Sequence, residues 1–356
     1  MSHLLRIVDG LRILSAPASV MYFKFTLGGH GFESYLPERD IIHPDPTASS
    51  TLPLLTSFSM KVFVTGATGF VGSAVVNELI SNGHEVIGLV RSDKGVKFLS
   101  SLGAEALRGT LTDIDVLQKG ASESDGVIHT AFIHDWSNYA ASCATDKAVI
   151  EAIGAVLVGS KKPFVVTSGI LGLASGRLAT EDDEVNLATA ISPRVQSDLA
   201  ALALAPQGVR VSILRLPPSV HGDEDHGFVP QIIKIARAKG VSGYVGEGTN
   251  RWCAVHRPDA ARLYRLVLEK GRAGANYHAV GDESVTTKSL AEAIGAQLKL
   301  DGVSKTSEEA PAHFGFFSWP LSLDSPCSSA KTQEEFGWTP TGPGLIEDLQ
   351  KGTYFK

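Results

Sequence analysis

The chain has 356 residues, 43% of them apolar, and a formal net charge of −6. That allows a sizeable core in one large or two ordinary domains, and so mild an acidity argues against nucleic acid as a partner. No apolar run is long enough to cross a bilayer. Cys143, Cys253 and Cys327 stand too far apart for a zinc or disulfide framework, so no metal and a reducing, cytoplasmic setting are expected.

Residues 1–59 read differently from the rest of the chain. Gly28-Gly29-His30-Gly31 and His43-Pro44-Asp45-Pro46 break any regular element, and the stretch from Pro46 to Ser59 is rich in Ser, Thr and Pro. We expect a largely disordered extension. Its four basic residues are matched by five acidic ones, unlike an Arg-rich presequence, although a targeting segment remains the alternative.

Order begins at Lys61. Val62-Phe63-Val64 has the continuous apolarity of a strand buried on both faces. The chain then passes Gly66, Gly69 and Gly72 and enters a helical pattern at Phe70, Val71, Val75, Leu79 and Ile80, which Asn82-Gly83 stops. Strand, glycine turn and helix together place helix N-terminal amides against a pyrophosphate. Gly66 makes the turn, Gly69 lets the backbone approach phosphate, and Gly72 lets helix and strand lie close. Ala67, Thr68, Phe70 and Val71 complete the cofactor-binding turn.

The spacing is G-x-x-G-x-x-G. Thr65-Gly66-Ala67-Thr68-Gly69-Phe70-Val71-Gly72 resembles the extended short-chain dehydrogenase/reductase superfamily. Within it the chain is similar to the NAD(P)-dependent epimerase/dehydratase and 3β-hydroxysteroid dehydrogenase/dihydroflavonol reductase group, from about Met60 to the C-terminus. The resemblance implies an α/β, Rossmann-type, doubly wound parallel sheet over residues 60–220. A smaller, partly interleaved substrate region over 221–356 goes with it, as does a homodimer.

Glu85–Val90 is the second strand. Arg91 and Ser92 follow it where the residue that meets the adenosine ribose belongs. A carboxylate there would repel a 2′-phosphate, whereas a guanidinium pairs with one, so NADP(H) is expected over NAD(H), with Asp93 as a complication. The family's Gly-Asp-Leu near adenine is Gly109-Thr110-Leu111 here. Asp125-Gly126-Val127-Ile128-His129-Thr130-Ala131 resembles the family's fourth strand, which puts Ala131 and Phe132 beside the cofactor and leaves His129 as a packed, hydrogen-bonded residue. His134 and Asp135 lie just past its carboxyl end, where ligands of parallel sheets bind.

Asp146–Val158 is helical by pattern, and Pro163–Gly169 is the fifth strand. Its end resembles the family's Ser/Thr cluster, with Thr167 and Ser168 as candidates and Gly169 as the alternative holder of the serine position. The family's Tyr-x-x-x-Lys, its acid/base pair, should follow about 25 residues later. From Gly169 to Gly227 there is neither tyrosine nor lysine. Arg194 and Asp198 stand near that place with the same i, i+4 spacing, either as a helix salt bridge or as a substituted dyad in which Arg194 binds a ribose or substrate oxygen. A guanidinium does not cycle a proton. His134 and His221 are therefore the expected proton donors, with Ser168 polarising the carbonyl.

Val209–Arg215 alternates as a strand. Leu216-Pro217-Pro218-Ser219-Val220-His221-Gly222 resembles the family's R-x-x-x-V-Y-G-P segment, which places Pro217, Pro218 and Val220 beside nicotinamide. A helix is expected over Ile232–Lys239. Arg251 matches the region where sugar-nucleotide members hold a diphosphate, and Asp259 is expected to cap a helix from Ala260. A further helix is expected over Leu290–Leu298, capped by Thr287 or Ser289, and Leu323–Trp338 resembles the family's last helix. Phe314, Phe316, Phe317 and Trp319 suit a lid or pocket wall. The reading is an NADP(H)-dependent oxidoreductase acting on a small-molecule carbonyl or alcohol. A nucleotide-sugar epimerase/dehydratase and a non-catalytic NADP(H)-binding sensor are the alternatives.

Overall fold

A computed structural model of the chain describes residues 25–27, 30–32, 59–174, 176–184 and 193–356. The chain divides into two units, Met1–Thr56 and Ser57–Lys356. In the first, β1 (Phe25–Leu27) pairs antiparallel with β2 (His30–Phe32). The rest of the expected extension, apart from Ser59, lies outside the described residues.

The second unit opens with β3 (Lys61–Thr65), α1 (Phe70–Ser81), β4 (Glu85–Val90), α2 (Asp93–Ser101), β5 (Glu105–Arg108), α3 (Ile114–Ser122) and β6 (Gly126–His129). It continues through α4 (Tyr139–Leu157), β7 (Pro163–Gly169), α5 (Val195–Leu202), β8 (Arg210–Leu216) and β9 (Ser219–His221). Then come α6 (Phe228–Lys239), β10 (Ser242–Val245), β11 (Arg251–His256), α7 (Arg257–Lys270), β12 (Ala275–His278), β13 (Asp282–Thr286), α8 (Thr287–Leu298) and β14 (Gly302–Lys305). Four short helices finish it: α9 (Ala310–Phe314), α10 (Ser318–Ser322), α11 (Ala330–Phe336) and α12 (Leu345–Lys351).

Seven strands form one parallel sheet in the order β12-β8-β7-β6-β3-β4-β5. Strand alternation divides its apolar residues between two layers. Val62 and Val64 join α1 and α7 on one face, while Phe63 joins α3, α4 and α5 on the other. This is the doubly wound α/β fold expected. The strand order reverses between β3 and β6, and that crevice is where such sheets bind ligands.

The C-terminal half does not stand apart. Strand β12 is an edge of the main sheet, and α7 buries Leu263, Tyr264, Val267 and Leu268 in the layer that holds α1. The remainder builds a third core around Trp252, with a small sheet of β13-β11-β9 and the parallel pair β10-β14.

Several element limits differ from the sequence reading. Helix α4 begins seven residues early, at Tyr139, because its first turns are mostly small residues with little apolar periodicity, and α6 begins at Phe228. Thr286, not Thr287 or Ser289, caps α8, accepting from Ser289 N at 3.1 Å. Helix α7 starts at Arg257, and Asp259 lies inside its first turn, where its carboxylate accepts from Thr341 N and Gly342 N. Only Ala330–Phe336 of the expected last helix is helical, and α12 follows it.

Candidate cofactor and active site

At the end of β3 the turn is tight. Gly66 has φ +70°, and a Cβ there would fall 2.8 Å from Ala131 N. A Cβ on Gly72 would lie 2.0 Å from Gly66 O, so α1 packs against the turn itself. Gly69 is different. It adopts ordinary extended backbone, is exposed, and a Cβ would meet only Gly66 O, at 3.1 Å. Apart from that one backbone oxygen, no protein atom beyond the adjoining residues lies within 4 Å of such a Cβ. Helix α1 has no side-chain cap and no acid in its first turn, which leaves its N-terminal amides for an anion. Thr68 is exposed, Phe70 and Val71 are partly so, and Ala67 is buried beneath them. These residues fit a dinucleotide pyrophosphate.

The adenosine end follows β4. Arg91 is exposed, and Ser92 caps α2 through Gly95 N. Asp93, the complication in the sequence, is held by Arg108 from the end of β5. Two guanidiniums, those of Arg91 and Arg108, thus stand at the carboxyl ends of the neighbouring strands β4 and β5. Thr110 is bound from within, because Asp113 accepts from both its amide and its hydroxyl, and Leu111 leans on the core.

At the other end a buried polar chain leads into the site. Thr65 Oγ1 and His129 Nδ1 are 2.6 Å apart, and His129 Nε2 and Asp146 Oδ1 are 3.1 Å apart. Burial works to raise the Asp146 pKa, but the His129 hydrogen bond and the charges of His129 and Arg194 outweigh it, so it lies below the usual range. Asp146 Oδ2 is 3.7 Å from Arg194 Nε. Arg194 Nη2 donates to Thr167 O at 3.0 Å, and the guanidinium lies 4.2 Å from the centre of the Phe132 ring. His134 meets the same ring edge-on at 5.3 Å. His134 keeps an exposed side, but desolvation by the groups packed around its ring, then the Arg194 charge, then His226, push its pKa below 6.5.

A family model described as the NAD dependent epimerase/dehydratase family matches residues 62–280, more than half of the chain. The chain belongs to that family. It is 50% identical, over 297 residues, to "Uncharacterized protein C2A9.02" of Schizosaccharomyces pombe, a match covering 83% of this chain and 100% of that protein. It is 26% identical over 274 residues (73% of this chain, 81% of the relative) to 4-hydroxy-2-methyl-3-oxo-4-farnesyl-3,4-dihydroquinoline-1-oxide ketoreductase of Stigmatella aurantiaca. The crystal structure of dTDP-glucose 4,6-dehydratase from Streptomyces venezuelae with NAD and TYD bound has the same fold. Its TM-score is 0.67 at 22% identity, over 82% of this chain and 96% of that one. The site is therefore that of an NAD(P)-binding member of the epimerase/dehydratase family.

Arg194 and Asp198, the candidates for a substituted dyad, lie at the start of α5. They do not pair with each other as a simple helix bridge. Asp198 accepts instead from Ser168 Oγ at 2.9 Å, and burial raises its pKa, opposed by Ser168, Arg194 and Arg215. Ser168 is only 5% exposed. The next residue, Gly169, is exposed, and a Cβ on it would meet nothing within 4 Å. Thr167 Oγ1 donates to His129 O and lies 2.6 Å from the Tyr264 hydroxyl. Pro217 is buried, and Pro218 and Val220 are partly exposed between β8 and β11.

The remaining candidates separate. His221 is fully buried, with Nδ1 2.8 Å from Asp348 Oδ2 on α12 and the ring beside His256. His134 is exposed, within an aromatic group drawn from both halves of the chain. Trp136 stacks on Phe316 at 4.6 Å and on Tyr139 at 5.6 Å, and Phe228 meets Phe317 at 5.1 Å. Phe314 is buried, but Phe316 and Trp319 are exposed. Asp135 serves as a cap, accepting from Ser137 N and Oγ. Arg251 is held by both oxygens of Asp324, at 2.9 and 2.7 Å. Sequence reasoning missed Asp146. Its signal was an acid on the apolar stripe of α4, in line with Val149, Ile150 and Ile153.

Proposed function

We propose that this chain is an NADP(H)-dependent reductase of apolar, ring-bearing carbonyl compounds. The observation that carries the reading is the Phe132 ring, with Arg194 over its face and His134 at its edge. A cation that cannot give up its proton and an imidazole that can stand within one substrate's reach. Arg194 binds the carbonyl oxygen, held in place by Asp146 and Thr167 O. His134 gives that oxygen its proton as the alkoxide forms. The chemistry that NADP(H) would supply when bound is the hydride for the carbonyl carbon. Ser168 and Asp198 form the floor beneath, and His221 holds α12 through Asp348. Trp136, Phe316 and Phe228 favour a flat or isoprenoid substrate over a sugar. The engagement of Arg251 by Asp324 removes the diphosphate clamp that a sugar nucleotide needs. Arg91 and Arg108, the latter neutralising Asp93, support NADP(H).

The lack of tyrosine and lysine from Gly169 to Gly227 favours the second reading, a cofactor-binding protein without turnover. Purified full-length protein with NADPH or NADH, tested against aryl and isoprenoid ketones and against nucleotide sugars, separates the two. NADPH oxidation with the ketones is the expected result. Tight NADPH binding with no turnover across the panel selects the sensor, and conversion of a nucleotide sugar overturns the substrate class.

A further inference from the structure

Phe70 is the first residue of α1, beside the open edge of the glycine turn. Its ring is held from two sides by the C-terminal half. Arg257 Cζ lies 4.6 Å from the ring centre, and the His226 imidazole meets the ring edge-on at 5.7 Å. Arg257 is the first residue of α7, and His226 lies in the loop between β9 and α6.

This puts a guanidinium against the positive end of a helix that has no acid in its first turn. Like-signed charge gathered there is costly without an anion. The nearest carboxylate does not supply one well. Glu224 is 3.9 Å from Arg257 and its side chain is 87% exposed, the kind of pair that water screens. The loop is nevertheless built rather than loose. Glu224 takes φ 67°, a conformation uncommon outside glycine. The Tyr354 hydroxyl donates to Asp225 Oδ2 at 2.7 Å and accepts from Gly222 N at 3.3 Å, which ties the loop to the C-terminal tail.

We propose that Arg257, flanked by His226, pairs with the pyrophosphate of the bound dinucleotide and closes from the C-terminal half the phosphate site that the glycine turn opens. A guanidinium matches two phosphate oxygens at once, and the Phe70 ring holds its plane. Such pairing needs only the cofactor and is independent of the reductase reading.

The test is cofactor binding by the full-length protein, followed by NADPH fluorescence, with adenosine 2′-phosphate titrated by calorimetry as a probe that lacks the pyrophosphate. Arg257→Met keeps the packing on Phe70 and removes the charge. It should weaken NADPH by about 10- to 100-fold, the loss of a charge-assisted hydrogen bond, and leave adenosine 2′-phosphate unchanged. Arg257→Lys should recover part of the NADPH affinity, and it carries the comparison with Arg257→Gln if the methionine variant does not fold. Wild-type NADPH affinity in a folded, charge-free variant overturns the proposal. So does equal weakening of both probes. Turnover is not read in this experiment, so absence of reductase activity leaves its outcome unaffected.

Discussion

The two ends of the proposed cofactor site are built in different ways. The phosphate and adenosine end comes from one stretch of chain: β3, the glycine turn, α1, β4 and the start of α2. Its geometry follows from local backbone needs, with Gly72 fitting against Gly66 O and Arg91 set by its distance from the turn. The opposite end is assembled from β6, the loop before α4, β7, α5 and the C-terminal aromatics. Its candidate residues come from several separate stretches of chain. A site of the first kind is tolerant of changes elsewhere but intolerant of changes within the turn. A site of the second kind depends on long-range packing, and is where chemistry diverges within one fold.

The largest effect should come at the assembled end. His134→Ala is expected to lower ketone reduction by about 10²–10⁴ while NADPH binding stays intact, measured by steady-state kinetics beside a cofactor titration. Reduction needs His134 protonated. Its pKa is lowered, so kcat/KM should fall as pH rises through a value below 6.5, and that limb should vanish in the variant. A full rate with an unchanged profile would remove His134 from the chemistry.

Next comes the local end. Gly72→Val forces a side chain against Gly66 O and should destabilise the fold by about 3 kcal/mol or more, read by chemical denaturation. Gly69→Val sharpens the contrast, since a Cβ there meets a single atom, Gly66 O, at 3.1 Å rather than 2.0 Å. Stability should fall by clearly less than in the Gly72 variant, yet NADPH binding should be lost. Loss of stability at Gly69 equal to that at Gly72 would mean that both are packing glycines.

Asp146→Asn tests whether the buried chain positions Arg194. It removes the charge beside the guanidinium but keeps the shape facing His129. The expected result is a fall in kcat of roughly 10-fold to 100-fold with little change in NADPH affinity. An unchanged kcat would show that Thr167 O and Phe132 hold Arg194 without it. Arg91→Glu should weaken NADPH by about 10- to 100-fold and NADH by much less, because only the 2′-phosphate loses a partner and meets a repulsion. Equal weakening of both would move the preference to Arg108.

The smallest effect is expected from removing residues 1–58. Thermal stability and NADPH affinity should remain nearly unchanged, and a clear loss of either would show that the extension belongs to the working protein.

The sheet and the glycine turn are legible in the chain read as letters. They rest on short-range rules: continuous apolarity for a buried strand, and glycines where backbones touch. Equally legible is that no tyrosine or lysine lies from Gly169 to Gly227. How the fold groups the residues near that stretch is not. Asp146 reads as one more residue of a helix until the fold brings His129 and Arg194 to it from β6 and the start of α5. Arg251 reads as a ligand until Asp324, more than seventy residues on, takes both its nitrogens. His221 and His134 look alike as titratable groups near strand ends, yet one is sealed against Asp348 and the other stands at the aromatic mouth. Each of these outcomes is a pairing between elements far apart in the chain. A side chain's type fixes what it can bind, but only tertiary packing fixes which partner reaches it first.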